Sequence, residues 1–349
     1  MTEGAPASAT MTGAGESRPR SWRSRRRQRF VTWTLLACVL LLAVGLLSLI
    51  LGAITIAPAD ALGGLIPGES FERTVVWQIR LPRFLGGVLV GAALGVSGAL
   101  LQVVTRNPLA DPTILGVSSA AGLAVAIALV AAPAIGQQSL TVVSIGGGLV
   151  GAGVLLALAW QGAVTAIRLT LAGVAIAAFF GAVIVGLLSS SRTFLQLSLG
   201  FLAGGLYGSD WRDAAAIAPV VLPAGLLAFA LGSRLNALAL GEEMAAGLGV
   251  LTDRTRVFVL GIVGLLTGAA VAIAGLVSFV GLVSPHVARS FVGDDHRFLV
   301  PASALTGAIL VTSADLIARL VIRPAEIPMG ILTAAVGAPF LLYLVRFRR

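Results

Sequence analysis

Long apolar stretches that contain no charged residue are the strongest constraint on this chain. Phe84–Thr105 and Leu169–Ser191 are two of them. A helix needs about 20 mostly apolar residues to cross the hydrocarbon core of a bilayer. The whole chain is 57% apolar and only 11% charged, whereas soluble domains are about 25% charged. The sequence therefore predicts an all-α integral membrane protein.

The apolar runs and the breaks between them predict about ten transmembrane helices. With the N-terminus inside the cell, both termini are cytoplasmic, and 17 arginines lie inside against seven outside. This bias follows the positive-inside rule. The eighth run is the least regular, because Pro285 interrupts it. The predicted spans are 31–53, 84–105, 112–131, 139–160, 169–191, 213–232, 255–276, 278–292, 298–320 and 328–346.

The N-terminal segment is rich in arginine, with seven between Arg18 and Arg29. We predict a disordered cytoplasmic tail over residues 1–30 and a membrane-spanning domain over 31–349. The first apolar run is too long for a secretory signal, whose apolar core is about 7–15 residues. A net charge of +9 does not indicate nucleic-acid binding here, because no aromatic-studded basic domain accompanies it.

The chain contains no lysine, since all 24 basic residues are arginine. A Walker A loop requires a lysine, so any ATP that drives this protein must be hydrolysed by another polypeptide. We therefore expect no catalytic residue and no cofactor in this chain. Its one cysteine, Cys38, cannot form an intrachain disulfide, and no cluster of histidine and cysteine predicts a metal site.

One internal repeat is visible. Gly91-Ala-Ala-Leu-Gly-Val-Ser-Gly98 is similar to Gly268-Ala-Ala-Val-Ala-Ile-Ala-Gly275, 177 residues later, and a proline follows each copy at the same distance (Pro108 and Pro285). The offset pairs the second span with the seventh, so the copies run in opposite directions. Inverted repeats of two five-helix halves are typical of transporters. Low complexity in helices rich in small residues is the alternative explanation.

Charge is scarce within the predicted spans, and Asp315 is the main exception. Arg319, four residues later on the same helix, can form a local ion pair with it. The alternative is an ion-coupled secondary transporter in which Asp315 binds the coupling ion. His286, beside Pro285, is expected to satisfy backbone groups that the proline leaves free. The scarcity of charge favours an external energy source.

Two polar segments lie outside the spans. Residues 236–250 are too short and too polar to cross the membrane, and they predict a helix at the membrane surface or in a groove on a partner protein. In that helix Leu238, Met244, Ala245 and Leu248 share one face, while Glu242 and Glu243 stay solvated. On the external side, Arg80 and Arg83 either reach lipid headgroups or pair with carboxylates of a partner.

Several blocks of sequence between about residue 55 and the C-terminus stand out together. The blocks are Arg80-Leu-Pro-Arg83, Gly91-Ala-Ala-Leu, Asn107-Pro-Leu-Ala-Asp-Pro112, Leu115-Gly-Val, Gly241-Glu-Glu-Met-Ala-Ala-Gly-Leu-Gly249, Phe279-Val-Gly-Leu-Val-Ser-Pro-His286, Gly293-Asp-Asp-His-Arg297, Ala314-Asp-Leu-Ile-Ala-Arg319, Glu326-Ile-Pro-Met-Gly330 and Gly337-Ala-Pro-Phe340. In content and in order they resemble the FecCD family, the permease subunits of bacterial ABC importers for iron-siderophore complexes, haem and vitamin B12.

The resemblance implies a fold like that of the vitamin B12 importer permease, in a dimer with a second permease subunit. It implies as partners two copies of a cytoplasmic ABC ATPase, which hold the ATP and Mg²⁺, and an extracytoplasmic substrate-binding protein, all at the bacterial cell membrane. It also implies roles for three groups of residues: ATPase coupling for Gly241, Glu242, Glu243, Ala245, Leu248 and Gly249; docking of the binding protein for Arg80, Arg83 and Arg319; and helix breaking and gating for Asn107, Pro108, Pro285 and His286.

Overall fold

The computed structural model describes residues 21–66, 70–161, 163–189, 200–323 and 325–347. Over these ranges the chain is helical apart from loops and one short antiparallel pairing of Trp160–Gln161 with Ala163–Val164. The helices are α1 (Ser21–Ile50), α2 (Pro58–Gly63), α3 (Leu81–Val104), α4 (Val117–Ala131), α5 (Gln137–Ala159), α6 (Ala166–Ser189), α7 (Trp211–Ala230), α8 (Gly232–Ala239), α9 (Glu242–Gly247), α10 (Thr252–Ala274), α11 (Val280–Val292), α12 (His296–Val321) and α13 (Met329–Phe347).

Each of the ten predicted spans coincides with a helix. In the described part of the chain, seven helices are long and apolar enough to cross a membrane, while α4 and α13 are shorter apolar helices. The eighth span corresponds to α11, which has 13 residues. The prediction of an all-α, multi-pass membrane protein is confirmed.

One predicted boundary is wrong. Helix α1 begins at Ser21, so residues 21–30 are not a disordered tail. Arginine is a good helix former, and the apolar helix continues through this segment. Residues 1–20 of the predicted tail lie outside the described residues, as do residues 190 and 191 of the fifth predicted span.

The helix predicted over 236–250 is two short helices, α8 and α9. The chain changes direction at Gly241, whose φ of 119° lies in a region that residues with a Cβ rarely occupy. The predicted common face is also divided between core and surface. Leu238 and Ala245 are fully buried, whereas Met244 and Leu248 are exposed.

A continuous helical segment precedes α3. It comprises Phe71–Arg73 and a wider π-helical turn, Thr74–Arg80, and it extends the second span to Phe71–Val104. In a π-helical turn the carbonyls are displaced from their usual partners. Here the Trp77 carbonyl accepts a hydrogen bond of 2.8 Å from the indole N–H of Trp211 at the start of α7.

Helix packing confirms the inverted repeat. Under the repeat, α3 corresponds to α10, α4 to α11 and α5 to α12. The two most extensive helix interfaces are α3 with α12 and α10 with α5, and each is the counterpart of the other. The interfaces α11–α12 and α4–α5 are exchanged in the same way, as are α3–α11 and α10–α4. On the axis between the halves, α3 contacts α10 through the buried hydroxyls of Ser97 and Thr267, 3.4 Å apart.

Glycines permit the closest crossings in both halves. A Cβ on Gly91 would lie 2.2 Å from the Gly307 carbonyl oxygen, and one on Gly268 would lie 2.7 Å from the Ser144 carbonyl oxygen. Small residues allow helix backbones to approach in this way in membranes, where van der Waals packing replaces the hydrophobic effect. The repeated glycines are therefore close contacts that hold the two halves to each other, because α3 and α5 belong to the first half and α10 and α12 to the second.

The offset between the halves changes along the chain. It is 177 residues for Gly91 and Gly268, but it is 163 residues for Gly116 and Phe279, the left-handed residues that precede α4 and α11. The first half thus has a longer connection between its second and third spans. Pro108 lies in that connection, while Pro285 lies inside α11. The apparent match of the two prolines in the repeat is wrong.

Candidate functional site

At the predicted external end of the molecule, a buried cluster of charged residues joins α3 to α12. The guanidinium of Arg83 donates two hydrogen bonds to Asp315, from Nε at 3.1 Å and from Nη2 at 2.8 Å. It also lies 2.9 Å from a carboxylate oxygen of Glu326. Arg319 approaches the second oxygen of Asp315 at 3.2 Å, so the predicted local ion pair is present. Two cations thus share two carboxylates.

Burial distinguishes this cluster from a surface patch of arginines. Arg83, Asp315 and Arg319 are all less than 10% exposed, whereas the Glu326 side chain is 27% exposed. Charges buried in this way are tolerated only when they are paired and hydrogen-bonded. The cluster is therefore a clamp between α3, α12 and the segment that leads to α13, and Glu326 is its one member open to an incoming group.

Arg80 contacts a different element. Its guanidinium donates to the Leu49 carbonyl at the end of α1 and to the Ile54 carbonyl in the turn that follows. The Arg80 side chain is 5% exposed. Because the turn after α1 leaves carbonyls without helical partners, Arg80 stabilises this turn against the start of α3. Its predicted role in docking stays a prediction.

Pro285 does not break α11, so the predicted helix break at Pro285 and His286 is wrong. A proline lacks the N–H that would bond the carbonyl four residues earlier, which here belongs to Gly281. The Gln102 side-chain amide of α3 lies 3.5 Å from the carbonyl oxygens of Gly281 and Leu282. Gln102, and not His286 as the sequence predicted, therefore approaches the carbonyl that the proline leaves free. The His286 ring instead packs edge-on against Phe340.

Asn107 and Pro108 lie in the loop after α3. The Asn107 side chain accepts a hydrogen bond of 2.9 Å from the Leu109 backbone N–H, a local arrangement typical of turns. Arg106, just before it, has a positive φ of 47°, which is uncommon for a residue with a Cβ. This tightly turned loop lies at the same end of the molecule as α9, because Arg106 is 3.9 Å from Glu242.

The short helix α9 is fastened to the start of α10 by one buried cation. Arg256, only 1% exposed, binds the Glu242 carboxylate at 2.6 Å and lies 3.8 Å from Asp253. Ala245 is fully buried beneath the helix. Because α10 packs against α5 and α3 in the centre of the molecule, Arg256 joins α9 to a helix of the second half that also contacts the first.

The outer face of α9 is apolar and exposed. Met244 and Leu248 are 60% and 64% exposed, and Leu240 and Leu251 beside them are exposed as well. Glu243 also points to solvent. Gly249, with a φ of 77°, ends the helix as left-handed glycines commonly do. Exposed apolar residues rimmed by charge are characteristic of a protein interaction surface.

Sequence reasoning missed four residues of these sites: Gln102, Glu326, Arg256 and Arg106. All four contact a partner more than ten positions away in the sequence, so their neighbours gave little signal. Arg256 was detectable in one respect, since a charge just inside an apolar span needs a partner. Among the described residues, no group of three or more His, Cys, Asp and Glu side chains could hold a metal ion.

Comparison with known proteins identifies the family. The model of the FecCD transport family matches residues 40–347. The chain belongs to the FecCD transport family. It is 37% identical over 327 residues to the Fe(3+)-citrate import system permease protein YfmD of Bacillus subtilis, covering 93% of this chain and 97% of that protein. It is 41% identical to the cobalamin import system permease protein BtuC of Halobacterium salinarum, covering 85% and 79% of the two chains.

A solved structure agrees with the FecCD assignment. An inward-facing metal-chelate type ABC transporter superimposes with a TM-score of 0.79 at 30% sequence identity, covering 89% of this chain and 97% of that one. The likeness covers most of both chains, so the helical architecture is that of the family.

Proposed function

We propose that this chain is the membrane-spanning subunit of an ATP-driven importer that takes up an iron chelate or a corrinoid. The observation that carries the proposal is the full-length similarity to import permeases for Fe(3+)-citrate and cobalamin. The exposed apolar surface of α9 supports it, because an ATPase outside the membrane needs an exposed surface of the permease to bind. The chain itself contributes no bond-making chemistry.

The proposed cycle is alternating access driven by partners. A loaded substrate-binding protein delivers its ligand at the external end, and two ABC ATPases, which hold ATP and Mg²⁺, act on the α9 surfaces of a permease dimer. The orientation with both termini in the cytoplasm follows from the arginine bias. Two pseudo-symmetric halves that pack alike can expose a central path first to one side and then to the other.

Within α9 we assign different roles to the two glutamates. Glu243, Met244 and Leu248 contact the ATPase, because they are exposed. Glu242 transmits the motion, because it is bound to Arg256. The terminal glycines, Gly241 and Gly249, give α9 the turns at its two ends.

Co-purification from the native membrane tests the ATPase contact. We expect Glu243→Arg/Leu248→Glu to reduce the recovered ATPase subunit about tenfold or more, since loss of an interface hot spot costs about 2 kcal/mol or more. The matched control is Asp60→Arg/Leu62→Glu, which makes the same changes at exposed positions of α2. An equal yield of ATPase with both variants, measured by mass spectrometry, would refute the proposed contact.

At the external end we propose that an acidic residue of the binding protein displaces Glu326 from Arg83. Glu326 is the exposed member of the clamp, and guanidinium pairs bidentately with carboxylate. Arg319 and Arg80, which are buried, stabilise the docking surface around Arg83 and Glu326. Glu326→Gln should then strengthen docking of the binding protein, and Arg83→Gln should weaken it.

The same geometry gives no support to ion coupling through Asp315. A coupling carboxylate must bind and release its ion, whereas this one is held by Arg83 and Arg319 together. We therefore assign Asp315 to the clamp. Uptake that persists when the ATPase is deleted would reverse this assignment and the proposed function with it.

A further inference from the structure

A large apolar groove lies on the outside of the helix bundle, at its predicted cytoplasmic end. Its volume is about 1140 Å³. Helices α3, α7 and α12 form its walls, and the first residues of α1 form its rim. We call it the inner groove. Its walls include Leu89, Ala92, Leu226, Phe229, Pro301 and Ala304.

The inner groove opens toward the surrounding membrane. Leu222, Leu226 and Phe229 on α7 line it, and each is about half exposed or more. Its lining on α7 runs from Val221 to Phe229, which is about 12 Å along a helix axis. One leaflet contributes about half of the 30 Å hydrocarbon core. The depth of the groove therefore matches the inner leaflet.

The rim of the groove is positively charged. Arg26, Arg27 and Arg297 line it together with one acidic residue, Asp295. Asp295 caps α12 and accepts a hydrogen bond of 2.8 Å from Arg297. That bond holds the pKa of the Asp295 carboxyl well below its usual range, so the carboxylate offsets Arg297. With three arginines and one carboxylate, the rim carries an excess of positive charge.

The rim is fixed in place over the groove. Phe30, one turn after Arg26, contacts Phe298 with ring centroids 5.0 Å apart. Farther along α1, Trp33 stacks on Phe291 of α11 with ring centroids 4.1 Å apart. These contacts place the first turns of α1 against α11 and α12 at the mouth of the groove.

We propose that the inner groove binds one anionic phospholipid of the inner leaflet. Its phosphate pairs with Arg26 and Arg27 at the rim, and an acyl chain lies along the small and apolar side chains of α3, α7 and α12. Basic pockets between helices at the cytoplasmic side suit anionic headgroups. The acyl chain gains little by leaving bulk lipid, so the arginines decide which lipid is bound. This site does not depend on the transported ligand.

Native mass spectrometry of the full chain, released from nanodiscs of equimolar phosphatidylglycerol and phosphatidylcholine, tests the headgroup contact. The wild-type protein should retain phosphatidylglycerol in preference. Arg26→Gln/Arg27→Gln should lower the retained ratio of the two lipids by about 25-fold, since each arginine near the surface contributes about fivefold. The matched control is Arg234→Gln/Arg254→Gln, which removes two exposed arginines of the predicted cytoplasmic surface outside the groove.

A second pair of variants tests the acyl chain. Gly225 lines the groove, and among the described residues no atom lies within 4 Å of a Cβ built on it. Gly225→Phe should therefore fill the groove without disturbing the helices and reduce retention of both lipids. The control is Gly153→Phe, where the described structure is equally open on a helix that does not line the groove.

Three outcomes would overturn the proposal. They are equal retention of the two lipids by the wild-type protein, an arginine variant that matches its control, and unchanged retention in Gly225→Phe. Disulfide cross-linking of two copies through Cys38→Ser/Gly225→Cys would assign the groove to a second copy of this chain instead.

Discussion

Arg83→Ala is expected to destabilise the protein by about 3–5 kcal/mol, because it takes a hydrogen-bonded partner away from the buried carboxylate of Asp315. Asp315 loses both hydrogen bonds from Arg83, and Glu326 loses its ion pair. Arg319 remains, but it then serves both carboxylates alone. The measurement is the free energy of unfolding of the purified protein in mixed micelles.

Arg212→Ala is the matched control, since Arg212 is an exposed arginine at the same predicted end of the molecule. Changes at such surface positions usually stay within about 0.5 kcal/mol. A double variant, Arg83→Met/Asp315→Leu, should be less destabilised than the sum of the two single variants, because it removes both charges of one pair. If Arg83→Ala and Arg212→Ala unfold alike, the clamp contributes nothing to stability.

Gly98→Val should prevent accumulation of folded protein. A Cβ at Gly98 would lie 1.8 Å from the Gly281 carbonyl oxygen and 2.4 Å from its carbon. Because both are backbone atoms, no side chain can rotate to make room, and α3 and α11 would have to separate. Overpacking alone costs about 1–3 kcal/mol, and this clash also displaces the Gln102 contact to α11.

Gly86→Val provides the comparison, because Gly86 lies on the same helix and no described atom lies within 4 Å of its Cβ position. The two variants share the cost of a β-branched residue in a helix and differ only in the clash. The yield of monodisperse protein in detergent, followed by size-exclusion chromatography, is the readout. Comparable yields would show that α11 is free to move away from α3.

The spans and the repeat could be predicted from the sequence because lipid imposes a simple rule on each residue. A backbone inside the bilayer must satisfy its own polar groups, so an apolar run of sufficient length is a helix whatever its neighbours are. The glycine pattern also carried information, since Gly91 and Gly268 occupy corresponding crossings. Local chemistry was enough for these features.

The charge networks could not be predicted, because their partners are distant in sequence. Arg80 and Arg83 looked like surface residues at the end of a span, and only the fold brings Asp315, 232 positions away, against Arg83. Pro285 illustrates the reverse error. A local rule predicted a broken helix, but Gln102 from α3 approaches the Gly281 carbonyl that the proline leaves free.

The longer connection in the first half, between α3 and α4, gives the molecule a direction. A protein with perfect two-fold pseudo-symmetry would look the same from both faces of the membrane, and an energy source could act on either. The extra residues begin beside Arg106, which reaches toward Glu242 on α9, and the other half lacks them. The two sides of the membrane therefore meet different surfaces of the protein, and the ATPase contact proposed above uses only the surface that carries Arg106 and α9.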